Sequence, residues 1–305
     1  MGGGLMRPLR LSRSVWRLGS YHAAVYLLAG QDQAAIFEVG LAASAPVVLA
    51  QLDALGIERQ EVRHLIISHA HADHASGQAA LRAGLPLAVL GLTPGSRAFL
   101  QKPSTARRFA ADDLYTSGQV ARRDGLEGPC PASLPLLPPP LQDIQDGDVM
   151  DLGGLEARFL AAPGHVPDGL ICHLPGEGLV LAADSAGFCT KGRPGFPLHF
   201  VSYPQYMASL AAITALEPVA LGLGHQDCFL GAAARQYLLQ TREHLESEHR
   251  SILQALAGGQ DPEAVAQGFC QRYYRDELTV YPAESILNCA RLLVRRSMEA
   301  SANTP

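Results

Sequence analysis

The chain has 305 residues, 48% hydrophobic and 17% charged, with a formal net charge of -5. This length allows one large or two small domains with a sizeable core, and the acidic balance gives no overall electrostatic footprint for nucleic acid or an anionic membrane. The six cysteines form no CxxC pair and the chain has no continuous apolar run of membrane-spanning length, so a cytoplasmic protein with reduced thiols, no signal peptide and no membrane or nucleic-acid partner is expected.

In chain order, residues 23–28 and 34–39 predict a hairpin closed by Gly30-Gln31-Asp32. Residues 47–55 predict a short helix ended by Gly56. Leu65-Ile66-Ile67 predicts a buried strand, and the run His69-Ala70-His71-Ala72-Asp73-His74 follows it directly. A helix over 75–83 stopped by Gly84 comes next, then a strand over 87–90. Residues 93–126 combine helical spacing with mixed charge and predict one or two inserted helices; the Pro- and Leu-rich stretch 128–140 predicts an extended connector. A second β block runs from 149 to 181, broken around His165. A helix over 206–216 and a strand over 219–223 precede His225. Beyond that the chain is expected to be wholly helical, with helices over 232–256, 262–273 and 282–297, the last two opened by Asp261-Pro262 and Tyr281-Pro282. The arginine pairs at 107–108, 122–123 and 295–296 read as solvated helix faces. Two β blocks suggest two sheets packed face to face with helices outside.

Three imidazoles and a carboxylate within six residues are the densest feature of the chain. Neutral imidazole and carboxylate are the groups that bind zinc or iron at neutral pH. On one continuous strand or helix they could not all converge, whereas on a strand-to-helix loop they split into two sets aimed at adjacent points. A merely solvated polar loop does not account for that density at a strand end. The run resembles the HxHxDH motif of the metallo-beta-lactamase superfamily. Pro163-Gly164-His165, Ala182-Ala183-Asp184-Ser185 and Gly224-His225, each after a strand-like run, resemble the family's remaining metal motifs in the expected order.

The resemblance covers the chain from about residue 20 to 230. It implies the α/β class and an αββα sandwich over 1–230, with a helical insertion near 93–126 and a helical C-terminal extension over 231–305 packing over the active site. It also implies two divalent metal ions per chain, zinc, iron or manganese. His69, His71 and His165 would hold one, Asp73, His74 and His225 the other, and Asp184 would bridge them. Such a pair supplies a hydroxide that attacks a carbonyl, with Asp73 taking its proton and one ion stabilising the developing oxyanion.

The details select a branch. An Asp at the bridging position argues against the zinc β-lactamases with a Cys ligand, and the complete second ligand set against mononuclear iron persulfide dioxygenases. A flavodoxin-like domain and the added domain and basic surfaces of the nucleic-acid-processing branch are not apparent. What remains resembles glyoxalase II, with lactonases as cousins. The insertion, Pro197-Leu198-His199-Phe200, and a last helix opening near Ser285 and running through Arg291-Leu292-Leu293 resemble the quinolone-signal response (PqsE-like) thioesterases. That family hydrolyses an aminobenzoylacetyl-CoA thioester and also works through a protein partner. Phe188 stands where it carries a carboxylate, and Gly169 where a second histidine is common. The metal chemistry therefore carries over better than the substrate does.

The expected reaction is hydrolysis of a small-molecule acyl substrate, first of all a thioester, since a thiolate, whose conjugate acid has a pKa of about 8.5, leaves with little acid help. A lactonase is the nearest alternative. A regulatory or interaction protein that keeps a metal site, working through a homodimer or a regulatory protein partner, is the alternative of a different class. Candidate pocket residues are Phe188, Phe196, His199, Phe200, Tyr203 and Ser285, with core or loop packing as the competing reading for each. Glu38 is expected to orient the metal loop through hydrogen bonds. His22, His64 and His173 read as structural, His244 and His249 as solvated, and Asp227 and Cys228 as neighbours of His225.

Overall fold

The computed structural model describes residues 7–127, 137 and 139–302. Its first half contains β1 (Leu9–Arg10), β2 (Val15–Gly19), β3 (Ala24–Ala29), β4 (Ala34–Phe37), α1 (Ala45–Leu55), β5 (Val62–Ile66), α2 (Ala72–Ala75), α3 (Gln78–Gly84), β6 (Val89–Leu92), α4 (Pro94–Leu100), α5 (Pro103–Asp124) and β7 (Leu141–Asp143). The second half contains β8 (Val149–Asp151), β9 (Glu156–Ala161), β10 (Leu170–Leu174), β11 (Leu179–Ala183), β12 (Cys189–Thr190), β13 (Arg193–Pro194), α6 (Tyr203–Ala215), β14 (Ala220–Leu223), β15 (Cys228–Leu230), α7 (Ala232–Ala257), α8 (Pro262–Tyr273) and α9 (Ala283–Ala302).

A seven-stranded sheet runs β1 to β7 in order, antiparallel as far as β4 and parallel from β4 to β7. A six-stranded sheet has the order β15-β14-β11-β10-β9-β8, with β11 and β14 parallel and the other pairs antiparallel. Side chains alternate across each strand, and in the central strands β3, β4, β11 and β14 both faces are covered, which is why these read as unbroken apolar runs. Tyr26, Phe37 and Ile66 point inward and meet Phe159, Leu170 and Leu181 of the other sheet. Leu27, Ile36 and Leu65 point outward against Val48, Leu52, Leu81 and Phe109 of the first helical layer. On the far side Val180, Ala182 and Leu221 pack under Leu210, Tyr237, Phe269 and Leu293. The result is the αββα sandwich. Helices α7 to α9 share one apolar cluster with α6 and the second sheet.

Several local expectations are corrected. The helix expected over 75–83 is two pieces, and Gly84 closes the second from inside it. The break lies at Gly77, whose added Cβ would sit 2.1 Å from the Val39 carbonyl oxygen and 2.7 Å from that of Leu41. The C-terminal part is not wholly helical, because β15 pairs with β14. Strands β1, β2 and β7 carried no sequence signal strong enough to assign them. Most of the connector at 128–140 lies outside the described residues. His244 and His249 are half-buried and partnered: His244 Nε2 lies 2.6 Å from the Gly195 carbonyl oxygen, and His249 stacks on Tyr203 at 3.9 Å. Arg296 is half-buried too and donates to the Phe200 carbonyl.

The inter-sheet core carries the sandwich. Phe159→Ala should lower stability by about 3–5 kcal/mol, read from the denaturant midpoint, with no change in bound metal per folded chain.

Candidate metal centre

Four strands of the two sheets end on one side of the sandwich, and each delivers site residues there. β5 ends at Ile66 and leads through Ser68 to His69 and His71, with Asp73 and His74 on the four-residue α2. His165 follows β9, Asp184 follows β11 directly, and His225 follows β14 by one residue. The backbone bends sharply to place them. Glu38 has φ +71°, Ala183 before Asp184 has φ +45°, and Gln226 after His225 has φ +55°. Such left-handed non-glycine residues cost energy and cluster at functional sites. Gly224 is required by close approach, since a Cβ there would sit 2.6 Å from His74 Cε1 and 2.8 Å from Asp184 Oδ1.

Most of the imidazoles are anchored through their outer nitrogen. His165 Nδ1 lies 2.8 Å from the Leu198 carbonyl oxygen and His225 Nδ1 2.9 Å from that of His22. His69 Nδ1 lies 2.9 Å from Ser68 Oγ, and His74 Nδ1 lies 2.8 Å from Glu38 Oε2. A carbonyl only accepts, so for His165 and His225 these partners assign the proton to the outer nitrogen and a lone pair to Nε2. The inner nitrogens crowd together. His71 Nδ1 is 3.0 Å from both His69 Nε2 and His165 Nε2, and His74 Nε2 is 3.1 Å from His225 Nε2.

Asp184 stands between the two groups. Its Oδ1 lies 3.5 Å from His74 Nε2 and 3.4 Å from His225 Nε2, and its Oδ2 3.3 Å from His165 Nε2 and 4.0 Å from His69 Nε2. Oδ1 is buried without a hydrogen-bond partner, and the Asp184 backbone carbonyl accepts from Tyr206 Oη at 2.7 Å. Asp73 Oδ2 lies 3.5 Å from His225 Nε2 and 3.8 Å from His74 Nε2. Potential ligand atoms of His69, His71, His165 and Asp184 all lie within 4.8 Å of one another, as do those of Asp73, His74 and His225. Glu38 also comes within this range of His69 and His74, but its bond to the outer nitrogen of His74 places it behind the cluster, in the orienting role expected from the sequence.

The electrostatics match a cation site. Burial, with neighbouring imidazoles adding to it, holds His69 well below the usual histidine range and His71 down at about 3. Burial also lowers His165. These rings are therefore neutral, with lone pairs available. Burial works against charge on His74 as well, yet Glu38, Asp184 and Asp73 raise it well above the ordinary value. Asp184 and Asp73 both stay low: burial opposes ionisation, and the surrounding imidazoles overcome it. Converging lone pairs, two carboxylates and one partnerless buried oxygen fit a divalent-cation site, and the donor chemistry suits zinc, iron or manganese.

The other expected residues fall into two groups. Phe200 lies 5.1 Å from the His165 ring and Phe188 5.5 Å from that of His225, so both flank the cluster. Phe196 is one step further out, against Phe200 and Tyr273. His199 is fully buried, 5.1 Å from Tyr203, and its pKa is pushed by burial to about 3. Tyr203 stacks on His249, and Ser285 is exposed on the first turn of α9. Neither these two nor His199 has a contact with the cluster among the described residues. His22 pairs with Asp124 at 2.6 Å, which ties α5 to the loop whose carbonyl holds His225. Asp227 accepts from Cys189 Sγ at 3.4 Å, and Cys228 lies 3.4 Å from Tyr26 Oη, the hydroxyl that donates to the Leu223 carbonyl.

Sequence reasoning missed two residues of the C-terminal part. Tyr281 Oη donates to Asp73 Oδ2 at 2.9 Å. Cys289 is close enough that burial and the Asp73 charge push its thiol up to about 12. Neither lies in a motif, and Tyr281 read only as the residue before a helix-opening proline. On the insertion, burial raises Asp112, and Arg108 and Asp73 act on it in opposite directions, so α5 also borders the site.

This fold and a two-set histidine and aspartate cluster at the strand ends together give the molecule the form of a metal-binding protein. The chain belongs to the metallo-beta-lactamase superfamily, whose model matches residues 19–225. It is 28% identical over 177 residues to a hydroxyacylglutathione hydrolase from Rhodobacter capsulatus, an alignment that takes in 57% of this chain and 50% of the relative. The chain thus spans about half the length of that curated relative. Among solved structures, a metallo-beta-lactamase family protein from Thermus thermophilus is similar with a TM-score of 0.66 at 18% identity, covering 96% of this chain and 95% of that one. An archaeal superfamily protein from Sulfolobus tokodaii gives 0.59 at 18% identity, covering 94% and 99%. A Cronobacter sakazakii metallo-beta-lactamase variant gives 0.58 at 22% identity, covering 81% and 98%. At these identities the structural likeness establishes the fold. No helix among the described residues is long and apolar enough to cross a membrane.

Glu38→Gln removes the charge behind His74 while keeping an acceptor. Metal affinity should fall by about 10–100-fold, measured by competition with a chelator.

Proposed function

We propose that the chain is a binuclear metal-dependent hydrolase of small acyl substrates, with acyl thioesters as the preferred class. The observation that carries this reading is the division of Asp184, one oxygen facing His74 and His225 and the other facing His165 and His69. His69, His71 and His165 would hold one ion, and Asp73, His74 and His225 the other, with Asp184 shared. When bound, such ions supply Lewis acidity towards a carbonyl oxygen and lower the pKa of water towards about 7.

The chain's own residues do the rest. The outer hydrogen bonds fix which nitrogen of each anchored ring faces inward. Asp73 is the less buried of the two carboxylates, 18% exposed against 8% for Asp184, which suits it to take a proton from the attacking water. Phe188 and Phe200 give the flanks apolar faces that exclude water and favour an acyl or aromatic group. A thioester matches a centre with few donors, because the thiolate leaves without protonation. The similarity to a protein named hydroxyacylglutathione hydrolase supports an acyl-thiol substrate, and the likeness of the 197–200 segment to quinolone-signal response thioesterases favours an aromatic acyl group. The described cysteines are all free thiols, in keeping with work in the cytoplasm.

The test is to measure metal content and thioesterase turnover together on protein purified without chelator. We expect two ions per chain, and turnover reduced by at least about 100-fold in His71→Ala and Asp184→Asn. One ion or none, with no turnover after reloading with zinc, iron or manganese, would sink the hydrolase reading and favour a partner-binding role. Ring opening of lactones without thiol release would make the chain a lactonase.

A further inference from the structure

Tyr281 reaches Asp73 across 208 positions of sequence, donating to Oδ2 at 2.9 Å. That oxygen is the one turned towards His225 and His74. It is the one hydrogen bond that the Asp73 side chain accepts among the described residues. Asp73 needs such a restraint more than its partners do. It sits on a helix of four residues, too short to hold a side chain by packing alone, and it is the more exposed of the two carboxylates.

Tyr281 is itself firmly seated. Its backbone N–H donates to the Leu278 carbonyl at 3.2 Å, and its own carbonyl accepts from Tyr274 Oη at 2.9 Å. Its ring packs against the small cluster of Ala23, Leu41, Val120 and Val280, and stands edge-on to His225 with centroids 6.3 Å apart. The segment just before α9 therefore presents a fixed hydroxyl to the metal loop. Donors behind metal-binding groups fix ligand orientation, and their loss typically costs about 10–100-fold in affinity or activity.

We propose that Tyr281 is a positioning residue whose hydrogen bond turns the Asp73 carboxylate towards His74 and His225, so that the second cation set is completed by the C-terminal extension. This rests on the binuclear reading above, since the ion it serves is the one assigned to Asp73. A residue that only packed would stabilise the fold without distinguishing one cation set from the other.

The experiment is zinc titration of the chelator-stripped full chain against a chromophoric competitor, for the wild type, Tyr281→Phe, Asp73→Asn and the double variant, with the thermal midpoint of each stripped protein. Tyr281→Phe should weaken one of the two binding steps by about tenfold or more and leave the other step and the midpoint unchanged. It should add nothing once Asp73→Asn is present, as expected for coupled neighbours. Wild-type affinity at both steps in Tyr281→Phe overturns the proposal, as does an equal loss in the Asp73→Asn background. So does weakening of both steps together with a lower midpoint. Two ions in the wild type with unaltered loading in Tyr281→Phe would overturn the role of Tyr281 alone. A wild type that takes up a single ion would overturn the binuclear reading, and this role with it.

Discussion

Imidazole nitrogens that meet at 3.0–3.1 Å inside a protein must share a proton or a cation between them. The nitrogens of His71, His69 and His165 are in that position, as are those of His74 and His225. They stay there because outer partners leave the rings little freedom. Two backbone carbonyls, a serine hydroxyl and the buried Glu38 carboxylate each hold one ring from behind. Buried polar groups left without partners are costly, so an arrangement that concentrates them at one point is stable in the presence of a cation.

This demand reaches into the backbone. The strained φ angles at Glu38, Ala183 and Gln226 all lie at or beside site residues, where the surrounding sheets over-determine the conformation. Gly224 leaves room for His74 and Asp184, and Gly77 lets the loop after α2 lie on the segment that carries Glu38. Two sheets are needed because one sheet's strand ends supply only half of the donors: β5 brings the 69–74 run, while β9, β11 and β14 bring the others. The inter-sheet core around Phe37 and Phe159 sets the separation of the halves.

Much of this was legible in the sequence because the chemistry is local. The four donors of the 69–74 run fit on one loop, and each remaining donor follows an apolar run that reads as a strand. Buried strands declare themselves when both faces are apolar, as β3 and β11 do. β1, β7 and β15 are short and partly exposed, so their alternation never develops, and pairing with a neighbour defines them. His199 illustrates another limit. It adjoins Leu198, whose carbonyl holds His165, yet its own ring turns into the helical layer beside Tyr203. Adjacency in sequence says nothing about which way a side chain faces in an irregular segment. Tyr281 was illegible for the opposite reason: its contact spans most of the chain, and nothing around it repeats a pattern.

That span has a consequence for how the molecule comes into being. A ribosome releases a chain from its N-terminus onward, and domains generally condense as they emerge. The 69–74 loop emerges early, but its partners at 165, 184 and 225 follow much later, and Tyr281 later still. A nascent chain stopped short of β9 would carry four exposed donors with no enclosing sheet and would hold any captured ion loosely and in the wrong geometry. The full donor set is thus assembled only after β14 and the segment that carries Tyr281 have been synthesised.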